Sequence, residues 1–153
     1  MRFAARESAI FGEPEAGTGV NPGAGGMQHL TRLMGRGRAL EVLLSAQDYG
    51  AELAERYGWI NRALAAKELG NFVKALAHRI ANFPAAGLVT VKDRVNAIAL
   101  ASVEDFRLDS DLFGKRSQNP DAQKRFQAAL KRGFQTRDAE MDLDKMLGEL
   151  GDE

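Results

Sequence analysis

Six of the sixteen glycines in this 153-residue chain fall in the run Phe11-Gly-Glu-Pro-Glu-Ala-Gly-Thr-Gly-Val-Asn-Pro-Gly-Ala-Gly-Gly26. Glycine at that density marks a backbone that needs positive φ values or a very close approach to something else. The run therefore cannot continue a helix or a strand. It must be a turn, and from Met27 onward the chain reads as helix. Two carboxylates, Glu13 and Glu15, flank Pro14 at its start. A carboxylate held beside such a turn is a candidate for acid-base work.

The remaining composition narrows the classes of function. Lysine plus arginine and aspartate plus glutamate are each 21, so no global field favours nucleic acid or an acidic membrane surface. Neither is expected as a partner, and an anionic ligand has to be held by local groups. Cysteine is absent, which removes disulfides, thiol nucleophiles and cysteine-ligated metals. A cytoplasmic location is the default that goes with this. Runs such as Ala97-Ile-Ala-Leu-Ala101 are far shorter than the ~20 apolar residues that span a bilayer, and Glu7 and Ser8 interrupt the start before any signal-peptide core forms.

Extended pieces are few. Arg2–Ala5 and Ser8–Phe11 lead into the glycines, and Trp59–Leu64 comes after a helix end at Gly58. Between Met27 and Tyr57 the pattern is helical, with a glycine hinge around Gly35 and Gly37 and a third helix from Tyr49 to Tyr57. The clearest periodicity is Leu69, Phe72, Val73, Leu76, Ala77, Ile80 and Phe83, one apolar stripe at helical spacing. Pro84 breaks it. Leu88, Val91, Val95 and Ile98 then define the expected buried face of another helix. Phe106, Leu108, Leu112 and Phe113 suggest a further one. Asn119-Pro120-Asp121 has the form of a capped helix start leading into Phe126, Ala129, Leu130 and Phe134, and Leu143, Met146, Leu147 and Leu150 close the chain at helical spacing.

The fold class is thus mainly α with a few short N-terminal strands. Two or three short strands cannot make a stable sheet alone. Either a partner chain supplies more sheet, or the chain is the later part of a larger domain.

The segments Arg2-Phe-Ala-Ala-Arg-Glu-Ser-Ala-Ile-Phe-Gly-Glu-Pro-Glu15 and Asn21-Pro-Gly-Ala-Gly-Gly-Met-Gln-His-Leu-Thr-Arg-Leu33 resemble the crotonase superfamily, particularly its enoyl-CoA hydratases and isomerases. The resemblance continues through Ala54–Leu64 and Val91–Asn96 to Ala129–Phe134. It implies the C-terminal part of a crotonase-like α/β superhelix. Residues 1–65 would end its core and carry the active-site loop 11–26, and residues 66–153 would form a C-terminal helical oligomerisation region. It implies addition of water to a 2-enoyl-CoA, or a proton shift within it, with the coenzyme A thioester as substrate and no other cofactor. The glutamate of the Phe-Gly-x-Pro-Glu motif is one of two carboxylates that handle water and the α-proton, and the matching residue is Glu15. The turn at Pro22, Gly23 and Ala24 is expected to shape the pocket wall beside the acyl chain.

The family's other glutamate, its two oxyanion-hole N–H groups and most of its coenzyme A seat match no residue of this chain and would lie upstream. Losing one oxyanion donor alone typically costs ~10²–10³ in rate. The chain is therefore expected to be inactive alone, whether from a shortened gene, a split gene or a genuine short form, and a start at Met1 inside a strand-like segment favours shortening. The alternative is a noncatalytic helical interaction module that associates with full-length relatives through the faces around Leu69–Phe83 and Leu88–Ile98. A homo-oligomer is the corresponding expectation for the complete enzyme.

Glu13 stands where the family commonly has glutamine, and a like charge two residues from Glu15 raises proton affinity if both enter one pocket. His29 stands where arginine is common. His29 and His78 have no partner at metal-ligand spacing, so no metal is expected. The Asn21–Gly26 turn lacks the Gly-Lys-Ser/Thr ending of a phosphate loop. Lys131 and Arg132 lie near where some family members place a basic residue against the coenzyme A phosphates, although positive charge also suits a helix C-terminus. Phe106, Phe113 and Phe126 read as core or interface.

Overall fold

A computed structural model of the chain describes residues 1–151. The elements run β1 (Phe3–Ala5), β2 (Ile10–Phe11), a 3₁₀ turn (Pro14–Thr18), α1 (Gly26–Met34), α2 (Arg36–Ser45), β3 (Tyr49–Gly50) and α3 (Ala51–Tyr57). They continue with β4 (Arg62–Leu64), α4 (Ala66–Ala81), α5 (Ala85–Ala99), α6 (Val103–Ser117), α7 (Pro120–Lys131), α8 (Arg137–Glu140) and α9 (Leu143–Glu149). The helical expectation from Met27 onward holds apart from β3, which occupies the start of the segment read as a third helix. The strand read at Trp59–Leu64 is confined to its last three residues. No helix among the described residues is long and apolar enough to cross a membrane.

The chain forms two compact units. The first joins Met1–Ile10 to Gly50–Leu100. In it β1 and β4 pair in parallel, with Phe3 opposite Arg62, Ala4 opposite Ala63 and Ala5 opposite Leu64. Ala4 and Ala63 are buried, which lets the neighbouring elements lie close. The Ala63 N–H donates to the Glu55 carboxylate of α3 at 2.9 Å, so that backbone donor is satisfied by a side chain. Arg2 holds the strand ends in register. Its backbone N–H donates to Asn61 Oδ1 at 2.7 Å and its Nε–H to the Trp59 carbonyl at 2.5 Å. α4 packs on β1 through Phe3 and Phe72, edge to face with centroids 5.1 Å apart.

The apolar stripe of α4 contains no fully buried residue. One expectation for this unit needs correction. The face of α5 that carries Val91, Val95 and Ile98 is exposed rather than buried, at 63%, 54% and 78%. Periodicity fixes which side chains share a face, not whether protein covers that face. One two-stranded sheet and three helices are too few layers to bury both.

The second unit joins Phe11–Tyr49 to the residues from Ala101 on. α7 begins as its sequence requires, with Asn119 Oδ1 accepting the Asp121 N–H at 3.0 Å and Pro120 in the first turn, where its missing N–H removes no intrahelical bond. α6 is capped by Ser102, whose Oγ accepts the Asp105 N–H at 3.1 Å. The foreseen apolar run of α9 is the core here. Leu143, Met146, Leu147 and Leu150 cluster with Ala129 of α7, and Leu147 is 1% exposed. Burying such a side chain contributes about 1.5–3 kcal/mol. The 3₁₀ turn packs against α2, α7 and α9, which seats the Pro-Glu segment against the core of the unit.

Candidate active site

Pro14 fixes φ at the start of the 3₁₀ turn, and three hydrogen bonds hold the turn closed. Thr18 Oγ1 donates to the Glu15 carbonyl at 2.9 Å, while the N–H groups of Val20 and Gly19 donate to the carbonyls of Glu15 at 3.0 Å and Ala16 at 3.1 Å. The main chain of Glu15 is therefore pinned, and its carboxylate is positioned by that anchoring. Glu15 Oε2 is buried and has no hydrogen-bond partner. A buried acceptor left unpaired costs about 1–3 kcal/mol, and such atoms in folded chains call for an explanation. Glu15 is one of the residues lining a cavity of about 440 Å³ bounded by the turn, α6, α7 and the segment after α7.

Glu13 points elsewhere. A Cβ built on Gly26 would lie 2.7 Å from Glu13 Oε2 and 3.0 Å from Pro22 Cβ, so the carboxyl rests against the start of α1. Its pKa is pushed up to about 7, first by burial and second by the nearby charge of Glu15. The like-charge effect read from the sequence is present, with burial as the larger cause.

Pro22, Gly23 and Ala24 do not line the Glu15 cavity. Pro22 is buried behind it and Ala24 is exposed. Gly23 acts one layer back, because a Cβ there would lie 2.8 Å from Phe113 Cβ and 2.9 Å from Phe113 Cγ, and the Phe113 ring lines the cavity. Ser110 Oγ donates to the Gly23 carbonyl at 2.6 Å, and Asn21 Nδ2 donates to the Asp109 carbonyl at 3.2 Å. The glycine turn thus sets how close α6 can come. Gly25 takes φ +91, and a Cβ there would meet the Phe106 ring at 2.5 Å.

Lys131 and Arg132 lie at the end of α7 and do not line the cavity. Arg132 Nη1 is 3.3 Å from Glu149 Oε2. The His29 ring leans on Phe106 with centroids 5.3 Å apart, and His78 is exposed on α4. Among the described residues no group of three or more His, Asp or Glu side chains is arranged to hold a metal ion.

Apart from Thr18 and Val20 of the turn region, the cavity residues missed in the sequence come from the second half of the chain. Phe113 and Ser117 are one helical turn apart on α6, Ala122 and Phe126 one turn apart on α7, and Phe134 lies beyond its end. The i, i+4 spacing was visible, but nothing local to α6 or α7 says that these faces meet a turn so far back in the chain. Arg125 was missed as well. Its Nε donates to the Gly17 carbonyl at 2.7 Å and its Nη2 to the Leu147 carbonyl at 3.0 Å.

An anchored Pro-Glu turn whose glutamate lines a largely apolar cavity thus leads through a Pro-Gly-Ala-Gly-Gly turn into a helix. Comparison with known proteins identifies the family. The sequence model of the enoyl-CoA hydratase/isomerase family matches residues 1–138, and the chain belongs to that family. It is similar to the short-chain-enoyl-CoA hydratase of Clostridium acetobutylicum, at 33% identity over 112 residues that make up 72% of this chain and 43% of that protein. A crystal structure from Streptomyces avermitilis, described as an enoyl-CoA hydratase, superposes with a TM-score of 0.95 at 49% identity, covering 97% of this chain and 54% of that one. The carnitinyl-CoA hydratase of Mycobacterium avium superposes with a TM-score of 0.76 at 26% identity, over 84% of this chain and 51% of that one. The chain spans about half the length of these relatives, and the fold is accordingly part of a crotonase fold.

Proposed function

We propose that this chain supplies the Glu15 half of an active site that adds water to, or shifts a proton within, a 2-enoyl-CoA. The placement of Glu15, whose Oε2 is buried and unpartnered, among the residues lining a largely apolar cavity is the observation that carries this reading. A carboxylate so placed can take a proton from water as its hydroxyl adds to C3, or return one to C2, and acid-base assistance of this kind is worth ~10²–10⁴ in rate. Polarising the thioester oxygen is usually the larger contribution. The family resemblance assigns that task, and the other glutamate, to sequence that matches nothing in this chain. Coenzyme A thioester is the substrate, no further cofactor takes part, and the setting is cytoplasmic. Lys131 and Arg132 remain candidates for the coenzyme A phosphates by resemblance alone.

The test is turnover of crotonyl-CoA by the purified chain alone and mixed with the N-terminal half of a relative. The proposal expects no measurable hydration by the chain alone and turnover on mixing. Substantial turnover by the isolated chain would show that the missing groups are not needed.

A second reading has its own support. Exposure of Val91, Val95 and Ile98 on one face of α5 favours association of residues 66–153 with copies of the chain or with full-length relatives. A stable complex by size exclusion with light scattering supports it, and a strictly monomeric chain counts against it.

A further inference from the structure

α9 lies outside the family match, which ends at residue 138, yet it packs on the 3₁₀ turn that carries Glu15. The buried Leu147 makes the contact. A Cβ built on Gly17 would lie 3.0 Å from Leu147 Cδ1, 3.1 Å from Leu147 Cβ and 3.2 Å from Ala46 Cβ, so it is the glycine just after Glu15 and Ala16 that admits Leu147 this closely. Arg125 of α7 fastens the same point, donating to the Gly17 carbonyl at 2.7 Å and to the Leu147 carbonyl at 3.0 Å. Both ends of α9 are held as well. Asp144 Oδ2 accepts the Asp48 N–H at 3.3 Å, and Glu149 Oε2 lies 3.3 Å from Arg132 Nη1.

The turn needs such a hold. Its own hydrogen bonds run from Thr18, Gly19 and Val20 back to the carbonyls of Glu15 and Ala16, and a short 3₁₀ segment closed by local bonds has little stability by itself. Those bonds fix its shape, whereas Leu147 and Arg125 fix its place against α7 and α9. Displacing a reacting group by about 1 Å can cost ~10²-fold in rate. We propose that Leu147 and Arg125 are positioning residues for Glu15, with α9 as a strap across the turn. The consequence for turnover rests on the role of Glu15 proposed above.

The experiment measures backbone amide order parameters by NMR relaxation on the full chain and on its Leu147→Ala and Arg125→Met variants. In the parent the amides of Ala16, Gly17 and Thr18 are expected near the ~0.85 of rigid backbone, and in each variant below ~0.6, with those of α6 unchanged. A merely stabilising role would lower the unfolding midpoint and leave these native-state values where they were. Arg125→Met decides if Leu147→Ala does not fold. In the complemented pair each variant is expected to lower kcat for crotonyl-CoA by at least about tenfold with KM within about threefold. Neither is expected to add to the loss caused by Glu15→Gln, since a residue that acts through Glu15 then has nothing left to act on. Unchanged order in the turn of the variants, or losses that multiply with that of Glu15→Gln, overturns the proposal. Full activity of Glu15→Gln overturns the role of Glu15 and the effect on turnover with it, while the order parameters decide the tie separately, so the two ideas fail in different measurements.

Discussion

Arg125 of α7 donates to the Gly17 carbonyl at 2.7 Å and to the Leu147 carbonyl at 3.0 Å, so one side chain ties the turn that carries Glu15 to the last helix. Arg125→Met removes both charge-assisted bonds from part-buried carbonyls. A loss of about 2–4 kcal/mol is expected in urea denaturation. Arg125→Lys recovers little, because a point ammonium cannot reach both acceptors as the planar guanidinium does. Stability within about 0.5 kcal/mol of the parent for Arg125→Met would contradict this tie.

Glu13 gives the chain a pH dependence of definite sign. Its pKa rises on folding from the ordinary 4.5 to about 7, so between those values the folded chain holds a proton that the unfolded chain has lost. Its stabilising effect is full below pH 4.5 and fades as pH rises to about 7. The carboxyl is only half buried, which reduces the effect to about 1–2 kcal/mol. Asp48, raised first by burial and next by Asp144, acts with the same sign. Comparing thermal unfolding of the parent and Glu13→Gln at pH 5 and pH 8 isolates Glu13. The variant is expected to flatten the slope and to be the more stable at pH 8.

Substitution of two glycines should have opposite outcomes. Gly25→Ala forces a side chain onto φ +91 and into the Phe106 ring, for an expected loss of about 2–4 kcal/mol. At Gly37 an added Cβ meets nothing within 4 Å inside α2, and Gly37→Ala should gain about 0.4–1 kcal/mol. Denaturation midpoints measured side by side check both, and equal effects would contradict the assigned contacts.

Much of the architecture was legible because it is local. Asn119-Pro120-Asp121 started α7, Pro84 separated α4 from α5, and Leu143, Met146, Leu147 and Leu150 gave the buried face of α9. The misses are long-range. Val91 and Val95 have the spacing of a core face, yet burial depends on what lies opposite. Phe126 read as core and became a cavity wall because its helix meets the 3₁₀ turn. The turn itself was hidden, since Glu15 sits among glycines whose local signal is only that the chain bends. A role for Glu15 is what the resemblance implies, whereas the residues of α6 and α7 that line the cavity with it carry no local signal.

The most direct test of the account is Glu15→Gln in the complemented pair, assayed by hydration of crotonyl-CoA. The substitution keeps the size and the local hydrogen bonding of the turn while removing the group that moves the proton. Turnover is expected to fall by ~10²–10⁴ with little change in the affinity of the two halves for each other. Full activity of the Glu15→Gln pair would remove Glu15 from the role assigned to it.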